Sequence, residues 1–76
     1  MNEAITFELD GDHIPLCDLL KFCHIADSGG AAKHLVAEGL VRVDGQVELR
    51  KACKIRAGQV VTGDDYTIRV VEVRAV

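Results

Sequence analysis

The chain has 76 residues, twelve acidic and nine basic side chains, a net charge of −3, and 49% hydrophobic residues of which only three are aromatic. This length allows one domain with a small aliphatic core, and it excludes a deep substrate pocket. The sequence contains no apolar run near the roughly 20 residues that span a bilayer and no signal-peptide pattern. We therefore predict a cytoplasmic protein that makes no membrane contact.

The first predicted elements are a strand and a short helix. Apolar and polar residues alternate over residues 5–9, which predicts a half-buried strand. Pro15 suits the first turn of a following helix, where its missing N–H is tolerated. The apolar stripe of that helix, at helical spacing, consists of Leu16, Leu19, Leu20 and Cys23.

A second helix and a hairpin follow. Asp27 and Ser28 are capping residues that can open the helix, and Gly39 is placed to end it. The predicted buried side of this helix consists of Ala32, Leu35 and Val36. Residues 40–43 then predict a strand, which Asp44-Gly45 turns into a hairpin because both turn residues must tolerate positive φ.

The last part of the chain is predicted to return to the sheet. Val47 and Leu49 continue the hairpin, and residues 50–56 are predicted to form a basic arm or loop. Residues 59–62 and 66–73 predict two more strands. The chain is therefore predicted to be a single α+β domain, with two short helices packed on a small, mostly antiparallel sheet.

Three cysteines, Cys17, Cys23 and Cys53, are an odd number at irregular spacing, which favours reduced thiols over a disulfide framework. Together with the three histidines they are too irregularly spaced for a zinc site, and no CxxC pair occurs. We predict that the thiols are buried or half-buried small hydrophobes. No metal and no cofactor is expected.

Positive charge is concentrated between residues 28 and 56. This segment carries six cations and three carboxylates, whereas the rest of the chain carries three cations and nine carboxylates. The six cations are Lys33, Arg42, Arg50, Lys51, Lys54 and Arg56. Such a concentration in an acidic chain predicts contact with a polyanion, and phosphate-rich RNA is the leading candidate.

The outward face of the second helix is predicted to be one part of the RNA-binding surface. Lys33 and His34 lie there beside small residues, and Gly29 and Gly30 stand at the helix N-terminus, where free N–H groups favour an anion. The alternative interpretation is a solvated helix face. Arg50, Lys51, Lys54 and Arg56 could follow successive phosphates, although an exposed charge run that only keeps the domain soluble has the same pattern.

Aromatic stacking residues are missing from the basic segment. Phe7, Phe22 and Tyr66 lie outside it, and core roles are predicted for all three. RNA-binding sheets that unstack bases normally place aromatic residues among their cations. Recognition is therefore expected to depend on the phosphates and shape of structured RNA, with weak sequence preference and a strong dependence on salt.

The sequence resembles the RNA-binding domain of ribosomal protein S4, also called the αL motif. The resemblance is carried by Ser28, Ala32-Lys33, residues 38–45 and residues 54–61. The resemblance covers about residues 16–61 and is strongest to small stand-alone bacterial YbcJ-like proteins. It implies a compact fold that binds structured RNA such as rRNA or tRNA, and association with ribosomes or a ribosomal protein would be consistent with it. The RNA-facing cations that it implies are Lys33, Arg42, Arg50, Lys51 and Lys54. Gly29 stands where many members carry arginine.

Other classes of protein fit the sequence less well. An enzyme is not expected, because no nucleotide loop and no nucleophile–base spacing occurs and no catalytic residue is predicted. A sulfur carrier needs a Gly-Gly C-terminus, whereas this sequence ends Ala75-Val76, and a DNA reader would carry base-reading residues on the second helix. The main alternative is a protein-interaction module whose acidic face comprises Glu8, Asp10, Asp12, Asp64 and Asp65. A monomeric, non-enzymatic RNA-binding protein is the preferred prediction.

Overall fold

A computed structural model describes residues 3–73; the terminal residues Ala75 and Val76 lie outside this range. The elements in chain order are β1 (Glu3–Leu9), β2 (Ile14–Pro15), α1 (Leu16–Phe22), α2 (Gly29–Ala37), β3 (Arg42–Val43), β4 (Gln46–Val47), β5 (Lys54–Ile55), β6 (Val60–Thr62) and β7 (Tyr66–Glu72).

Five of these strands form one sheet in the order β1-β7-β6-β3-β4. The β1–β7 pair is parallel, and the pairs β7–β6, β6–β3 and β3–β4 are antiparallel. The short strands β2 and β5 form a separate antiparallel pair. The prediction of two short helices with a mostly antiparallel sheet is confirmed.

The core lies between the helices and one face of the sheet. Partners across the sheet share a face because side chains alternate along each strand, so Ile5, Ile68, Val61 and Val43 form one row toward the helices. The side chains with no exposed surface that the helices contribute are Leu16, Leu19, Leu20, Ala32 and Val36. The aliphatic core predicted from composition is therefore present.

The predicted ends of α2 are confirmed. The Ser28 hydroxyl accepts a hydrogen bond from the Ala31 N–H at 3.2 Å, as an N-cap side chain should. Gly39 has φ +75° just after the helix. The Leu40 N–H donates to the Leu35 carbonyl at 3.2 Å, so Leu40 belongs to the helix end and β3 begins only at Arg42. The strand predicted for residues 40–43 was therefore two residues too long.

The hairpin turn is confirmed at Asp44-Gly45, where φ is +52° and +86°. Both values lie in the left-handed region that a tight hairpin of this kind requires. Asp44 also joins the hairpin to β6, because its Oδ1 accepts the Val60 N–H at 3.0 Å. The hairpin is thus held to the sheet by its turn residue as well as by strand pairing.

The start of α1 differs from the prediction. Pro15 belongs to β2 and precedes the first helical residue, and it provides no side-chain cap. The N–H groups of Leu16 and Cys17 donate instead to the carbonyls of Cys53 (2.9 Å) and Lys51 (3.0 Å). These carbonyls satisfy N–H groups that have no acceptor within the helix. A distant segment therefore completes the first turn of α1.

Two further predictions were partly wrong. Residues 50–56 are not all arm or loop, because Lys54 and Ile55 form β5 and the Ile55 side chain is completely buried. Phe22 is not a core residue: it is 59% exposed at the end of α1 and packs on Phe7 with ring centroids 6.4 Å apart. Tyr66 is buried as predicted, and the three cysteines are half-buried free thiols.

Candidate nucleic-acid interface

The segment Leu49–Lys54, called the basic loop below, lines an open groove on the surface of the protein. The groove has a volume of about 830 Å³ and is lined by Leu49, Arg50, Lys51, Ala52, Cys53 and Lys54. The loop is held by the two hydrogen bonds from the start of α1 and by the Cys53 N–H, which donates to the Arg50 carbonyl at 3.1 Å. Backbone contacts therefore define the shape of the groove.

Arg50 is oriented by Glu48. The Glu48 carboxylate accepts hydrogen bonds from the Arg50 backbone N–H (2.9 Å), Nε (3.0 Å) and Nη2 (3.3 Å). These bonds from the side chain and backbone of Arg50 lower the pKa of Glu48 to about 2. The Glu48 side chain is 17% exposed and that of Arg50 is 77% exposed. The guanidinium of Arg50 therefore remains accessible, but the carboxylate of Glu48 balances part of its charge.

Acid is expected to weaken the fold through Glu48. Its pKa is about 2 in the folded protein, against an ordinary value of 4.5. A lowered folded-state pKa contributes stability above the ordinary value, and this contribution is lost as pH falls toward 2. The free energy of unfolding, measured with denaturant, should fall less between these two pH values for Glu48→Gln than for the unchanged protein. The control Glu8→Gln, at an exposed position of β1, should show the same fall in the free energy of unfolding as the unchanged protein. An identical pH dependence for Glu48→Gln and the unchanged protein would contradict this role of Glu48.

Lys51 and Lys54 are the uncompensated cations of the basic loop. Both side chains are exposed, and neither forms an ion pair with any residue in the range 3–73. The Lys51 backbone is held by its bond from Cys17, and Lys54 lies in β5, so both side chains project from a fixed main chain. They are the best-placed groups in the loop for binding an anion.

Two other predicted cations lie apart from this groove. Arg42 is exposed and lines a small separate cleft with Gly39, Leu40, Gly63 and Asp64. Arg56 contacts Asp12, with Nη1 3.4 Å from Oδ1, and both side chains are largely exposed. Arg42 therefore lies beside the turn that carries Asp64, and Arg56 pairs with Asp12.

The predicted residues of α2 are accessible. Lys33 and His34 are exposed, and His34 Nε2 lies 3.0 Å from Glu38 Oε1 one helical turn later. A side chain added at Gly29 would meet no atom within 4 Å, and one added at Gly30 would meet only the Ser28 hydroxyl at 3.9 Å. The N–H groups of these glycines lie in the first turn, outside the hydrogen-bond ladder of the helix. The helix start is therefore open to an approaching group.

The structure brings Arg50, Lys51 and Lys54 together in one groove, which none of the other predicted residues lines; those residues are exposed except for Gly29, which is half-buried. Sequence reasoning missed the roles of Glu48 and Leu49. The Glu-x-Arg spacing of residues 48–50 was the available signal for the ion pair. Leu49 was predicted as a hairpin residue, whereas its side chain is 63% exposed at the rim of the groove.

No helix between residues 3 and 73 is long and apolar enough to cross a bilayer. Over the same range, no three His, Cys, Asp or Glu side chains converge in a way that would hold a metal ion.

Comparison with known proteins gives consistent matches. The S4 domain family model matches residues 7–71. The YbcJ proteins of Escherichia coli (strain K12) and Shigella flexneri are each 52% identical over 59 residues, which cover 78% of this chain and 84% of theirs. The solution structure of Escherichia coli YbcJ, which reveals an αL motif involved in RNA binding, aligns with a TM-score of 0.69 and 51% identity, covering 87% of this chain and 85% of that one.

Proposed function

The chain belongs to the S4 domain family, and from this premise we propose that it is an RNA-binding protein that acts by binding alone, without a catalytic step. The observation that carries the proposal is the groove of the basic loop, where Arg50, Lys51 and Lys54 lie together on a backbone held by α1. Clustered cations on a fixed frame are the electrostatic pattern of a nucleic-acid site. The αL motif of the similar YbcJ structure supports the same assignment.

The basic loop is the main phosphate-binding element in this proposal. Lys51 and Lys54 bind phosphates directly because no carboxylate of the described chain pairs with them. Arg50 contributes a guanidinium whose direction is set by Glu48, which suits a phosphate that approaches from the exposed side. Each contact releases counterions from the RNA, and this release provides much of the binding free energy.

Helix α2 and the hairpin contribute further contacts. Lys33 and His34 project from α2, and the N–H groups of Gly29 and Gly30 donate hydrogen bonds to an approaching phosphate. Arg42 and Arg56 bind at the periphery; Arg56 must exchange its contact with Asp12 to do so. Weaker contributions are expected from these residues than from Lys51 and Lys54.

The ligand class that fits best is structured RNA, with rRNA and tRNA as the main candidates. No aromatic side chain lines the groove of the basic loop, so the protein has no stacking platform there. Binding through phosphates and shape favours RNA that is already folded. We propose further that the protein is a cytoplasmic monomer and that it associates with ribosomes. Crosslinking in cells followed by sequencing of the attached RNA would identify the target.

The affinity for a structured RNA hairpin is expected to fall steeply with salt. If six phosphates are engaged, one for each cation of residues 28–56, the affinity should fall about a thousandfold between about 50 and 200 mM salt. Fluorescence anisotropy with a labelled hairpin measures this. A single strand of the same composition should bind more weakly at each salt concentration. Failure to bind the hairpin, or an affinity that does not change with salt, would refute the proposed function.

A further inference from the structure

The groove of the basic loop combines cations with an exposed aliphatic side chain. Leu49 is 63% exposed, and Ala52 and Cys53 line the same groove. Phosphate contacts alone require only cations, and they gain nothing from an exposed leucine. Its exposure to water costs free energy in the unbound protein, and covering it would recover that free energy.

The groove is also larger than a single phosphate needs. It is open to solvent along one side, and its volume is about 830 Å³. The bonds from Leu16 and Cys17 hold its backbone before any ligand arrives. A preformed site avoids the entropic cost of ordering the loop on binding.

We propose that this groove holds one unpaired nucleotide of a structured RNA, with its base against Leu49 and Ala52 and its flanking phosphates at Lys51 and Lys54. The inference rests on the proposed function and adds a subsite to it. Charge complementarity favours this occupant, because the two lysines, unpaired in the described chain, attract an anion and the exposed leucine gains free energy when an apolar face covers it. An unpaired nucleotide carries both within one unit, whereas the bases of a continuous duplex are stacked and paired.

The loop backbone indicates what the subsite selects. The carbonyls of Arg50, Lys51 and Cys53 already accept hydrogen bonds from Cys53, Cys17 and Leu16. Each of these carbonyls already has one hydrogen-bond partner in the fold, which leaves it less available to read a base edge. The subsite therefore selects a nucleotide for being unpaired, and it discriminates little among the four bases.

The test compares two RNA hairpins of identical stem sequence, one fully paired and one with a single bulged nucleotide, at constant salt. The unchanged protein should bind the bulged hairpin about fivefold more tightly, since covering part of one leucine is worth about 1 kcal/mol. Leu49→Ala should lose this preference and retain its affinity for the paired hairpin within about twofold. Leu40→Ala is the matched control, because Leu40 is 46% exposed and lies outside the groove.

Several results would overturn the subsite. These are equal affinity of the unchanged protein for both hairpins, equal weakening of both by Leu49→Ala, and loss of the preference in Leu40→Ala. Tighter, Leu49-dependent binding of a polyglutamate peptide would assign the groove to an acidic protein partner instead. Absence of salt-dependent binding to either hairpin would refute the proposed function itself. Circular dichroism should give the same spectrum for all variants, since both leucines are exposed.

Discussion

Charge reversal at Lys51→Glu with Lys54→Glu is expected to weaken binding to a structured RNA hairpin by about a hundredfold or more. Both side chains are exposed at the groove of the basic loop and form no ion pair in the part of the chain that is described. The substitution removes two phosphate contacts and places two carboxylates where the phosphates would lie. Fluorescence anisotropy at fixed salt measures the effect, and the slope of affinity against salt should become shallower by about one unit per lost contact.

A second double reversal, Lys21→Glu with Arg69→Glu, is the matched control. Lys21 lies on α1 and Arg69 on β7, both are exposed, and neither belongs to residues 28–56. Both double variants change the net charge by the same amount, so they share any effect of overall charge on RNA attraction. The control should weaken binding far less. Equal losses in the two variants would show that net charge, and not the basic loop, determines affinity.

The largest effect on stability is expected for Gly63→Ala. A Cβ at this position would overlap the ring of Tyr66, which is only 6% exposed and packs in the core. The buried ring must shift to accommodate the added Cβ, so the substitution disturbs the packing of the core and should reduce the free energy of unfolding by about 3 kcal/mol. A domain of this size has only about 5 kcal/mol available. Urea denaturation would detect so large a loss directly.

Gly29→Ala provides the comparison for that measurement. Gly29 lies in the first turn of α2 and a Cβ there would meet no atom within 4 Å. Alanine favours a helix over glycine by up to about 1 kcal/mol, so this variant should be unchanged or more stable. Similar destabilisation by both alanines would mean that the Tyr66 ring does not restrict Gly63. Recovery of stability on adding Tyr66→Leu to Gly63→Ala would locate the conflict at the ring.

Local signals in the chain predicted the ends of α2 and the turn of the hairpin correctly. Ser28 accepts the Ala31 N–H at 3.2 Å, and Asp44-Gly45 adopts the positive φ values that the turn needs. Each of these features depends on residues at most three positions apart, so the chemistry that forms them can be read from a short window. The family resemblance similarly predicted the fold, since the matching residues include these caps and turns.

The errors arose where contacts join distant segments. The strands β2 and β5, which pair at Ile14 and Ile55, have two residues each, and so short a strand cannot show an alternating pattern. The error at Phe22 has a local cause. Phe22 is apolar like the residues of the α1 stripe, but its position at the end of the helix leaves it exposed. The predicted cations are all exposed, yet Arg56 pairs with Asp12, 44 residues earlier in the chain. No local pattern indicates that partner.

The amino-acid sequence alone determined the two helices and the strands of the main sheet, the Ser28 cap and the Asp44-Gly45 turn, and the excess of cations between residues 28 and 56, because each depends on neighbouring residues or on composition. Only the tertiary structure decided which cations share a groove. The carbonyls of Lys51 and Cys53 complete the first turn of α1, and this long-range pairing holds the loop whose groove Lys51 and Lys54 line, while Arg42 lines another cleft. Backbone hydrogen bonds between segments that are distant in the chain give the basic loop its shape.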